Sequence, residues 1–168
     1  MKHIFDFSFI GCGEIAKYHA DVILSLGHNI SSVSSRPNSK NIQSFSKKYK
    51  IRKQYDDFHR MISSESNIDA IILCTPWDQT QNIIYDVACY SIPVLVEKPI
   101  SLDSVNLKNT IYKLGDLANN ILVAYNRRFY DFIHLLKNEI QINKLLSVQV
   151  NCPENAKYLL VCIFTDSD

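Results

Sequence analysis

Only four glycines occur in 168 residues, and two of them stand in one short turn, Gly11-Cys12-Gly13-Glu14-Ile15-Ala16. The turn follows a β-prone run from Ile4 to Ile10. It opens a segment in which Ile15, Ala16, His19, Val22, Ile23 and Leu26 recur at helical spacing, with Gly27 as a stop. A strand that passes through glycines directly into an amphipathic helix is the opening of a β-α-β unit. Gly11 suits the tight turn, Gly13 lets a backbone approach a pyrophosphate, and Ala16 allows close packing of helix on strand. Glu14 and Ile15 sit where the helix N-terminus offers free N–H groups and a positive dipole end to an anion. The alternative is a glycine turn that merely joins strand to helix.

Downstream, the same alternation repeats. Ile30 to Ser34 reads as a second strand, Asn38 to Tyr49 as a polar helix with Ile42, Phe45 and Tyr49 on one face, and Tyr55 as part of a short third strand. Asp56 or Asp57 can cap a helix from Phe58 to Ile62. Ile68 to Cys74 is apolar almost throughout, as suits a parallel strand buried on both faces. A helix from about Asp78 to Tyr90, a strand Pro93 to Val96, a helix from Ser101 and Asp103 to Leu114, and a strand Ile121 to Tyr125 complete the series. This pattern predicts an α/β chain with a doubly wound parallel sheet, the Rossmann fold, over 1–125. Beyond it, Phe129 to Ile140 reads as a helix, while Leu145 to Val150 and Tyr158 to Phe164 read as strands. Residues 126–168 are therefore expected to be the truncated beginning of a second α/β domain.

Composition narrows the function classes. A net charge of +1 offers no general attraction to nucleic acid or a membrane surface. No apolar run approaches the ~20 residues that span a bilayer. The N-terminus lacks the pattern of a signal peptide, and the five cysteines are odd in number with no Cys-x-x-Cys pair. A cytoplasmic protein with free thiols and no metal site is expected.

The interval after the turn bears on the ligand. An acid about 20 residues beyond the glycines would bind an adenosine ribose and favour NAD. No Asp or Glu occurs between Asp21 and Asp56. The expected strand end reads Ser34-Ser35-Arg36-Pro37, and a Ser35 hydroxyl and Arg36 guanidinium suit a 2′-phosphate. NADP is the expected cofactor, with NAD the alternative.

Three further segments fall at the carboxyl ends of expected strands: Cys74-Thr75-Pro76, Glu97-Lys98-Pro99 and Asn126-Arg127-Arg128-Phe129. In this order and spacing, together with the glycine turn and His19, they resemble the glucose–fructose oxidoreductase / inositol dehydrogenase (Gfo/Idh/MocA) family over about residues 4–150. The resemblance implies an NAD(P)-dependent oxidoreductase that moves hydride between nicotinamide and a sugar or cyclitol. It implies that Lys98 assists proton movement as the catalytic residue, with Glu97 beside it and a Lys98–Pro99 peptide able to be cis. Thr75 and Pro76 would pass near the cofactor's ribose and phosphates, and Asn126 and Arg127 would face the cleft; a capped helix start is the alternative for that pair.

Two departures from the family pattern stand out. The family commonly carries Asn and His where this chain has Trp77 and Thr80. Family members are also about twice as long, with a second domain that supplies an Asp and an acid–base His and often forms the dimer. The competing expectation is a catalytically inactive dinucleotide-binding fragment, or a subunit that depends on a partner. The expected partner is a small sugar-like molecule if the chain is active, with no nucleic acid or membrane, and a homo-oligomer that would lack the usual dimer-forming sheet. A methyltransferase would want an acid at the second strand end, and none is present there.

Overall fold

The computed structural model describes residues 3–142, and the chain divides into two compact units, Met1–Tyr125 and Asn126–Asp168. In the first unit the strands are β1 (Asp6–Ile10), β2 (Asn29–Ser34), β3 (Lys53–Tyr55), β4 (Ala70–Leu73), β5 (Val94–Val96) and β6 (Ile121–Val123). They form one parallel sheet in the order β3-β2-β1-β4-β5-β6. The helices are α1 (Glu14–Ser25), α2 (Asn41–Tyr49), α3 (Phe58–Ser64), α4 (Trp77–Ala88) and α5 (Ser104–Leu114). The order reverses between β1 and β4, and in doubly wound sheets that reversal opens a crevice at the strands' carboxyl ends. The doubly wound parallel sheet expected from the alternation is thus present.

Side-chain alternation along the strands builds a core on each face. Phe9, Val33 and Ile72 point to one face, where Ala16, Ala20 and Ile23 of α1 and Phe45 and Tyr49 of α2 cover them. Ile10, Ile71, Leu73, Val94 and Val96 point to the other, under Met61 and Ile62 of α3 and Ile84 and Val87 of α4. Strands buried on both faces must be apolar nearly throughout, which is why β4 reads Ala-Ile-Ile-Leu. The polar exceptions satisfy one another. Ser8 lies 2.7 Å from Ser32 and 3.0 Å from Ser31 (hydroxyl to hydroxyl), where the β1–β2 register slips by one residue.

Several expectations shift. The buried stripe of α1 is Ala16, Ala20 and Ile23, whereas Ile15, Val22 and Leu26 are exposed. A helix lying close against a sheet buries a narrow stripe, and small alanines give the closest approach. The second helix starts at Asn41 rather than Asn38, because Asn38 has φ 62° and cannot continue a right-handed helix. Of the two candidate caps, it is Asp57 that accepts the Arg60 N–H, at 2.8 Å. Asp103 caps α5 through the N–H groups of Val105 and Asn106.

The second unit contains a 3₁₀ turn, Asn126–Phe129, and a helix α6, Asp131–Ile142. The helix begins two residues later than its apolar pattern predicts. The strands expected at Leu145 to Val150 and Tyr158 to Phe164 lie outside the described residues.

One glycine is required by the fold itself. Gly11 has φ +96°, and a Cβ there would meet the Cys74 carbonyl oxygen at 2.4 Å and its carbon at 2.7 Å. Both groups are main chain and cannot rotate away. Gly11→Ala is expected to destabilise the protein by about 3 kcal/mol, combining backbone strain with the clash. Urea unfolding checks this; a loss below about 1 kcal/mol would show that the two strand ends are not packed so closely.

Candidate functional site

At the carboxyl edge the hydrogen-bond ladder runs one residue past the strands. Ser35 N–H donates to the Tyr55 carbonyl, Gly11 to Ser34, Cys74 to Ile10, Glu97 to Leu73 and Ala124 to Val96, at 2.8–3.0 Å. In sheet order this edge reads Ser35, Gly11, Cys74, Glu97 and Ala124. The sequence motifs, far apart along the chain, thus stand side by side as the first residues beyond their strands. From Ser35 to Glu97 are three strand spacings, about 14 Å.

A cavity of about 450 Å³ opens on this edge. Its lining includes Gly11, Cys12, Gly13 and Ile15 from the glycine turn, Ser35 and Arg36 from the β2 exit, and Thr75 and Pro76 from the β4 exit. Gly13 is the N-cap of α1 and has no side-chain acceptor, so the helix's first N–H groups are not capped by a side chain. Its φ of −77° and ψ of −170° are open to any residue, and a Cβ there would meet nothing within 4 Å. Ala16 lies in the core and Glu14 pairs with Lys17 on the surface; neither lines the cavity.

The β2 exit is shaped by a reverse turn. Ser39 N–H donates to the Arg36 carbonyl at 3.2 Å, with Pro37 and the positive-φ Asn38 at the two central positions. Proline followed by a left-handed residue is the signature of a type II turn. The turn brings Arg36, Ser39 and Asn41 to the cavity wall. Opposite charge comes from β3, whose exit residues Asp56 and Asp57 line the same cavity. Sequence spacing missed these acids, because it followed the chain from the glycines and not the sheet, in which β3 is the neighbour of β2. Asp57 is engaged as the cap of α3, and Asp56 lies 3.7 Å from Arg60.

At the β4 exit, Thr75 and Thr80 lie 2.8 Å apart (hydroxyl to hydroxyl), and Thr80 also donates toward the Pro76 carbonyl at 3.1 Å. Thr80 is buried and closes the first turn of α4, while Trp77 is exposed. At the β5 exit, the Lys98–Pro99 peptide is cis. Lys98 is exposed and enters no ion pair among the described residues. Both oxygens of Glu97 are engaged within the protein: Oε1 lies 2.7 Å from His19 Nε2, and Oε2 accepts the Lys98 N–H at 3.2 Å. Neither Glu97 nor Lys98 lines the cavity. The His19–Glu97 bond was not foreseen, although strand alternation places Glu97, like Leu95, on the face that α1 covers. Asn126 and Arg127 are exposed in the 3₁₀ turn of the second unit.

Burial, with the Glu97 charge adding to it, pushes the Cys74 thiol up to about 12. Cys12 is buried beside Ser39, whereas Cys89 is exposed.

Comparison with known proteins bears on the family and the fold. A family model described as "Oxidoreductase family, NAD-binding Rossmann fold" (Gfo/Idh/MocA) matches residues 5–125. An inositol 2-dehydrogenase of Rhizobium meliloti is 27% identical over 89 residues, which is 53% of this chain and 27% of the relative. A myo-inositol 2-dehydrogenase of Thermotoga maritima is 24% identical over 132 residues, 79% of this chain and 39% of the relative. The fold is shared with the crystal structure of scyllo-inositol dehydrogenase from Lactobacillus casei with bound NAD(H) and scyllo-inositol, at a TM-score of 0.72 and 23% identity, covering 84% of this chain and 42% of that one. The chain therefore spans well under half the length of these relatives. Among the described residues no helix is long and apolar enough to cross a membrane.

The thiols provide a check on the edge. While Cys74 stays buried, its thiol is held protonated at pH 8 and unreactive toward alkylating agents. Peptide-mapped alkylation of the native protein should label Cys89 and spare Cys74 until denaturant is added. Rapid labelling of Cys74 would mean that the β4 exit is open to solvent.

Proposed function

Because the chain belongs to the Gfo/Idh/MocA oxidoreductase family and carries its NAD-binding Rossmann domain, we propose that it binds a nicotinamide dinucleotide across the carboxyl edge and serves the oxidation or reduction of a cyclitol or related polyol. The observation that carries this reading is Gly13. The fold does not need glycine there, since its dihedrals are ordinary and the space where a Cβ would stand is empty. What does need that space is a pyrophosphate seated on the N-terminus of α1.

The residues lining the cavity suit the adenosine and pyrophosphate portions of such a ligand. Gly11, Gly13 and the first N–H groups of α1 hold the pyrophosphate, with Ile15 against it. Ser35 and Arg36 take the adenosine ribose. With no carboxylate at the β2 exit and a guanidinium on the cavity wall, the ribose they suit best is one bearing a 2′-phosphate, so NADP is the proposed cofactor ahead of NAD. Thr75 and Pro76 line the path toward Lys98. When bound, the nicotinamide accepts or donates hydride. Lys98 Nζ hydrogen-bonds the substrate oxygen and holds or receives its proton. Residues 126–168 are proposed to be the beginning of a substrate domain, with Asn126 and Arg127 as ligand-contacting residues at its start.

Gly13→Ala is expected to change stability by less than about 1 kcal/mol, since an N-cap tolerates the change at small cost. It should weaken dinucleotide binding at least about tenfold. NADPH and NADH fluorescence titrations read this directly, and unchanged affinity for both would refute the pyrophosphate site. Arg36→Ala should weaken NADPH by roughly 10- to 100-fold and NADH by less than about threefold, the loss of one charge-assisted contact. Tighter binding of NADH than of NADPH by the unaltered protein would instead assign NAD. NADP⁺ reduction with myo- and scyllo-inositol tests the reaction. Tight cofactor binding without turnover on any polyol would leave a binding domain only.

A further inference from the structure

We propose that His19 is a positioning residue that sets Lys98 by holding the Glu97 carboxylate between the cofactor-binding helix and the β5 exit. The inference rests on the reading of Lys98 as the residue that handles the substrate proton.

The geometry follows from two periodicities. Along β5, Val94 and Val96 point into the core under α3 and α4, so Leu95 and Glu97 point to the face where α1 lies. Along α1, Ala16, Ala20 and Ile23 press on the sheet, and His19, three residues after Ala16, stands on the flank of that stripe. The two side chains meet at 2.7 Å, 78 residues apart in the chain, with 22% and 14% of their side-chain surfaces exposed. The Glu97 carboxylate accepts from the ring, so Nε2 carries the proton in this contact.

Glu97 is held at three points. Its N–H extends the ladder to the Leu73 carbonyl at 2.9 Å, Oε1 meets His19, and Oε2 turns back onto the Lys98 N–H at 3.2 Å. Each carboxylate oxygen therefore has a partner within the protein. Its role is to fix the main chain at Lys98, whose own side chain is exposed and unpaired among the described residues. The helix that begins at the glycine turn and the loop that bears the lysine are thereby tied by one hydrogen bond. Cys74, at the neighbouring strand exit, is near enough to feel the same carboxylate charge.

The consequence is selective. Losing His19 frees Glu97 and loosens Lys98 without disturbing the β2 exit or the glycine turn. His19→Ala should therefore raise amide hydrogen exchange at Lys98 about tenfold in the ligand-free protein, as expected when a local hydrogen-bonded constraint is lost. NADPH binding should weaken about fivefold, while 2′-phospho-ADP-ribose, which lacks the nicotinamide, keeps its affinity within about twofold. His19→Gln, whose Nε2 can stand near the position of the imidazole Nε2, should restore both. Glu97→Gln, which keeps the shape but weakens both bonds, should shift them in the direction of His19→Ala by a smaller factor. These two variants carry the test if His19→Ala does not fold. A folded His19→Ala protein with unchanged Lys98 exchange would overturn the proposal, as would an equal loss of both ligands. Unaltered protein that binds neither ligand would refute the dinucleotide reading itself, a result distinct from binding that ignores His19.

Discussion

The approach of Gly11 to the Cys74–Thr75 peptide is the contact on which the rest of this structure depends. At the point where the strand order reverses, the exits of β1 and β4 must diverge around a crevice while their main chains stay in contact below it. Only a residue with no side chain and a positive φ can make that turn here. Once it is made, α1 is aimed back across the sheet on one face and the β4 exit leads to α4 on the other. The crevice floor is then largely main chain, the start of α1 there carries no side-chain cap, and an anion can occupy it without displacing a capping side chain.

From that floor the site extends outward along the ladder. Each strand exit adds one element: a guanidinium and hydroxyls at β2, a bare N-cap at β1, a threonine pair at β4 and a tethered lysine at β5. A dinucleotide is long and its chemistry varies along its length, so an edge whose polarity changes from strand to strand is a suitable complement. The same arrangement explains why the acids at Asp56 and Asp57 matter. They follow the strand beside β2 and line the same cavity as Arg36.

Much of this was legible in the chain. The glycine turn, the buried apolar run of β4 and the alternation of short runs with amphipathic segments specify a parallel sheet, because few other folds use such strands. The motifs at Thr75, Lys98 and Asn126 could be assigned to strand exits from their position alone. Less legible was the buried face of α1, where the larger apolar side chains at Ile15, Val22 and Leu26 drew attention and Ala20 did not. The start of α2 lies three residues beyond the start of the helix-like pattern, because the type II turn at Pro37 and Asn38 intervenes.

By itself the sequence determined the class of fold, the order of its elements and the family to which the chain belongs. These depend on local patterns: period two in strands, period three to four in helices, and residue types at the junctions. Only the tertiary structure decided which junctions are neighbours. The pairing of β2 with β3 brings two carboxylates to the cavity that Arg36 lines, and the packing of α1 on the sheet brings His19 to Glu97. Such contacts join residues separated by tens of positions, and no periodicity along the chain encodes them. They arise from the strand order, which is set by packing both faces of the sheet at once.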